Sequence, residues 1–76
     1  MSTADLGQTF LNRTPIPGVR FQHNDFVRII GGIHAGKTGS LVTVLSLSPE
    51  PLFIVELESG YDAQVPQSEL SLISTQ

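Results

Sequence analysis

The chain has 76 residues, a formal net charge of −3 and no cysteine, so neither disulfides nor a thiolate metal site can supplement the small core of a single domain. The acidic balance argues against a general binder of polyanions, which presents a basic face. Charge is nevertheless uneven: the bases Arg13, Arg20, Arg28 and Lys37 all fall in residues 1–37, and the acids Glu50, Glu56, Glu58, Asp62 and Glu69 fall beyond them with no base. No stretch approaches the roughly 18 apolar residues of a membrane span, and residues 1–25 contain no apolar run of the signal-peptide kind. A cytoplasmic protein is expected.

Residues 1–23 read as a mostly irregular N-terminal arm. Pro15 and Pro17 hold it extended, and Gly7 weakens a helical turn over 2–11. Phe10, Leu11, Ile16, Val19 and Phe21 are too apolar for a free tail, so they are expected to cover an open side of the domain or to join two copies. Residues 24–76 read as the folded body. In a first strand over 26–30, Val27 and Ile29 alternate with Arg28. A loop with Gly31, Gly32, Gly36 and Gly39 follows, and its glycines indicate positive φ or close approach. The apolar run 40–47 lacks strict alternation, which predicts a bulged strand. After the Ser48-Pro49-Glu50-Pro51 turn, 52–58 alternates well, with Phe53, Val55 and Leu57 on one face. Ser59-Gly60 turns the chain into 61–65, with Tyr61, Ala63 and Val65 sharing a face. A one-turn helical link over 66–69 leads to a last strand over 70–73, and 74–76 form a free end. Val27, Ile29, Leu41, Val44, Phe53, Val55, Leu57 and Val65 are the predicted core. Five short strands and no convincing helix predict an all-β fold, a small five-stranded antiparallel barrel closed to remove its edges.

Two motif readings compete for the glycine loop. Residues 31–38 satisfy the pattern GxxxxGK[ST] of phosphate-binding loops. Such a loop needs a helix behind it, and Gly39 with the β-branched run 41–44 disfavours one, so no bound nucleotide is expected. The same residues, from Asp25 through Gly32, Gly36, Lys37 and Gly39 to Leu41, resemble the KOW motif of ribosomal proteins and transcription elongation factors. With Phe53-Ile54-Val55-Glu56-Leu57, Val65-Pro66 and Glu69-Leu70, the likeness extends over about residues 24–73. It implies an SH3-like barrel that binds RNA or docks onto proteins.

No catalytic residue emerges. His23 and His34 lack a third metal ligand nearby in sequence, Glu56 and Glu58 lie on an outward face, and the serines lack a base partner; no enzyme, cofactor or metal is expected. A binding side built from Arg20, Arg28, Gly32, His34, Gly36, Lys37 and Gly39 is the candidate site, with Phe10, Phe21 and Tyr61 as partner-facing apolar groups. The sparse basic residues favour a protein-interaction or accessory module, with a protein partner or self-association expected, over an RNA-binding KOW domain linked to translation or transcription.

Overall fold

Short runs with apolar side chains on one parity pair into a single antiparallel sheet, as that parity requires when only one face can be buried. The computed structural model describes residues 3–75, with the side chains of 6–75; the expectations for Ser2 and Gln76 lie outside them. The elements are α1 (Thr3–Leu11), β1 (Phe26–Ile29), β2 (Thr38–Ser46), β3 (Leu52–Leu57), β4 (Asp62–Pro66), a single 3-10 turn (Gln67–Glu69) and β5 (Leu70–Ser74). Strands run in the spatial order β4-β3-β2-β1-β5, all neighbours antiparallel. All eight predicted core positions are buried. The broken alternation of β2 is resolved by register shifts against β3 between Leu41 and Thr43 and between Val44 and Ser46, so that Leu41 and Val44 both point inward. Such bulges bend a strand and strengthen its twist.

The sheet does not close. Among the described residues no ladder joins β4 to β5, and the two remain its edges. The residues expected to form an irregular arm supply the missing layer instead. They begin with helix α1, which packs on β2, and Leu6, Phe10, Ile16 and Phe21 belong to the same buried cluster as the strands. Phe10 and Phe21 therefore face inward. Their ring centroids lie 5.7 and 5.8 Å from that of Phe53, and tilted and edge-on aromatic contacts of this kind add to the gain from burial. Gly7 does not prevent the helix, because a cost of about 1 kcal/mol in propensity is small beside the burial of Leu6 and Phe10. The helix ends in a left-handed cap. Arg13 adopts φ 58°, while its N–H donates to the Phe10 carbonyl and that of Thr14 to the Thr9 carbonyl.

Beyond the helix the arm is fastened by polar contacts. The side chain of Gln67, itself buried, donates to the Gly18 carbonyl (3.0 Å) and accepts from the Arg20 N–H (2.8 Å). It acts as a short piece of ladder between the arm and the 3-10 turn. Glu50 holds the same turn by accepting from the Ser68 N–H and hydroxyl. Asp25, also buried, accepts from the Gln22 N–H (2.8 Å), with the Arg13 guanidinium 3.9 Å from its other oxygen. His23 donates Nδ1 to the Val42 carbonyl (2.9 Å) and stands edge-on to Phe10.

If the arm completes the core, Phe10→Ala should lower stability by about 3–5 kcal/mol, the cost of a buried phenyl group with its cavity. Chemical denaturation should give that loss at every protein concentration. A concentration-dependent loss would mean that the arm acts between copies.

Candidate functional site

Of the two constraints expected of the loop glycines, positive φ and close approach, Gly36 and Gly39 each meet a different one. Gly36 has φ 92°, whereas Gly39 is an ordinary strand residue. Glycine is required at 39 by close approach: it sits opposite Leu57, and a Cβ there would collide with the Glu56 carbonyl oxygen and lie 2.9 Å from Val55 Cγ1. This clearance lets β2 lie flush on β3 and so brings the glycine loop beside the β3–β4 turn. Gly32, at φ 79°, has a second constraint, because a Cβ would stand 2.6 Å from the Glu69 carboxylate.

Within the loop the backbone bonds to itself. Ala35 N–H donates to the Gly32 carbonyl, Gly36 N–H to Ile29 and Lys37 N–H to His34. Strand β2 begins at Thr38, immediately after Lys37. A phosphate-binding loop requires free N–H groups and a helix N-terminus aimed at the anion. Here three of those N–H groups are occupied, a strand stands where the helix would be, and a carboxylate lies against Gly32. The sequence pattern is present without its geometry.

What the loop builds instead is a groove of about 270 Å³, walled on one side by Gly36, Lys37 and Thr38 and on the other by Leu57, Glu58 and Ser59. The Glu58 N–H donates to the Thr38 carbonyl and ties the walls together. Each wall continues into a turn with an exposed apolar residue: Ile33, 93% exposed, at the tip of the glycine loop, and Tyr61, 75% exposed, after Gly60. Tyr61 precedes β4 and is exposed rather than joining its inner face with Ala63 and Val65; it follows the turn at Gly60, which has φ 96°.

The residues of the expected basic side have different surroundings. Lys37 shares its groove with Glu58, while Arg20 lines a different cleft of about 110 Å³ with Arg13, Phe10, Ile16 and Phe21. Arg20 also lies over the Phe21 ring, 5.7 Å from its centroid. Arg28 is exposed on β1, opposite Thr38 and Ser71. His34 is half-buried in the loop, with Nδ1 buried and unpartnered. Among the described residues no three metal-ligating side chains converge, and no helix is long and apolar enough to cross a membrane. The sequence places Leu57 in the core, Glu58 on an outward face and Ser59 in a turn, none of them in the candidate site, and it does not single out Ile33, for which the isolated apolar residue at a glycine-loop tip was the available signal. Comparison with protein-family models, curated proteins and solved structures gave no match.

Two measurements bear on this loop. Gly36→Ala should cost about 1 kcal/mol through its φ alone, and Gly39→Ala more, through backbone collision; equal thermal midpoints for the two variants would contradict the close approach. Titration with ATP or GTP and magnesium should leave the amide spectrum of 31–38 unchanged, whereas a micromolar site abolished by Lys37→Ala would restore the phosphate-loop reading.

Proposed function

We propose that the chain is a non-enzymatic docking module of SH3-like, KOW-type architecture, an accessory subunit whose protein partner seats on the groove between the glycine loop and the β3–β4 turn. The exposure of Ile33 and Tyr61 on the two turns that wall this groove carries the reading. Exposed apolar and tyrosine side chains flanking a concavity are the usual anchors of protein interfaces. The strand order, and the 3-10 turn before the last strand, support the architecture. Lys37 and Glu58 both line the groove, and this mixed charge suits a polypeptide, which offers both donors and acceptors, better than a run of phosphates.

The test uses the protein that co-purifies with the tagged chain from its own cell. Ile33→Asp and Tyr61→Ala should each weaken its binding by roughly tenfold or more, with little dependence on salt, while Gln64→Asp on β4 leaves it unchanged. Capture of RNA instead, with affinity falling steeply as salt rises and insensitive to Ile33→Asp, would replace this reading by a nucleic-acid one.

A further inference from the structure

The arm folds around a cleft of its own, separate from the docking groove. All of its lining falls within residues 10–22, and its volume is about 110 Å³. Phe10, Ile16 and Phe21 in that lining are buried, whereas Arg13, Thr14 and Arg20 are exposed. The cleft therefore has a hydrocarbon floor and a mouth of N–H and O–H donors. Although the chain carries a net charge of −3, no acidic residue lines this concavity.

The two cations at the mouth are not equivalent. Arg13 stands 3.9 Å from a carboxylate oxygen of the buried Asp25, which offsets its charge. Arg20 has no carboxylate partner among the described residues; its guanidinium lies over the Phe21 ring, 5.7 Å from the centroid. The backbone that carries these groups is already fixed, by the cap of α1 at Arg13 and by Gln67 at Gly18 and Arg20. A ligand would have little to order on entering.

We infer that this cleft binds a small free organic acid, a single carboxylate on a compact hydrocarbon body. Charge selects the head. With Asp25 set against Arg13, the cleft has one cation in excess, which a carboxylate balances; a phosphate carries more charge than that. The flat fork of Arg20 suits a carboxylate, which can accept two parallel N–H bonds from it. Shape selects the body. An enclosed apolar cavity of about 150 Å³ takes benzene, so a somewhat smaller cleft with an open mouth admits one ring or a short branched chain, its carboxylate left beside Arg20. A bare anion would leave the floor wet, and a neutral hydrocarbon would leave Arg20 unmatched.

Benzoate is the probe, added to the full chain. It should shift the amide signals of residues 13–22 saturably, with a dissociation constant of about 1 mM or below, and raise the thermal midpoint. Benzamide, acetate, inorganic phosphate and N-acetylphenylalanine, which resembles a chain terminus, should each bind about tenfold more weakly or worse. Arg20→Gln should weaken benzoate by about tenfold and Arg20→Lys by less. Both keep the clamp, since Gln67 bonds to the backbone N–H of residue 20. Ile33→Asp and Lys37→Gln, in the docking groove, should bind benzoate as the unaltered chain does. Equal binding of benzamide would reduce the cleft to an apolar hole, and tighter binding of phosphate to a plain anion site. Preference for N-acetylphenylalanine would make the ligand a chain terminus. Each of these overturns the inference, as would shifts that never saturate, indifference to Arg20→Gln, or loss of benzoate binding with Lys37→Gln.

Discussion

Everything in this fold depends on the covering of Phe53. A five-stranded sheet with one apolar face needs a second layer or closure on itself, and here the ring at the centre of that face is fully buried because Phe10 and Phe21 lie on it. The bulges of β2 bend the sheet around this cluster rather than carrying it on to closure. The N-terminal segment is therefore a structural layer, and its removal would expose the most apolar part of the molecule.

Polar contacts then fix where that layer sits. Aromatic packing tolerates sliding; hydrogen bonds do not. Gln67, held at its own N–H by the Pro51 carbonyl, reads the backbone on either side of Val19 and sets the register of the arm. The clamp is an uncharged amide, so neither salt nor ordinary changes of pH weaken it.

The sheet was largely legible in the sequence because strand parity is a local signal. Phe53-Val55-Leu57 and Val27-Ile29 declare their inner face without reference to anything else, and the failed alternation at Leu41 and Val44 marked the bulge. Helix α1 was hidden because its stability comes from the sheet it covers; the local sequence, with Gly7 at its centre, gives little sign of it. The site was legible only in part for a related reason. Glycine at 39 was visible, but its cause, the Glu56 carbonyl, lies seventeen residues away in sequence, and the far wall of the groove at Leu57 to Ser59 exists only once β2 and β3 have paired. Arg20, Arg28 and Lys37 lie close in sequence, yet Arg20 and Lys37 end in separate clefts because the arm doubles back across the sheet.

The Gln67 clamp also orders events in time. Arg20 and Gly18 wait for a side chain 47 and 49 residues downstream, and Phe10 waits for Phe53. As the chain is synthesised, at about 5–20 residues per second, the arm emerges seconds before its binding surface exists. During that interval its aromatic residues are exposed to the ribosome surface and to chaperones. Until Gln67 has been made and has folded into place, nothing fixes the register of Gly18 and Arg20.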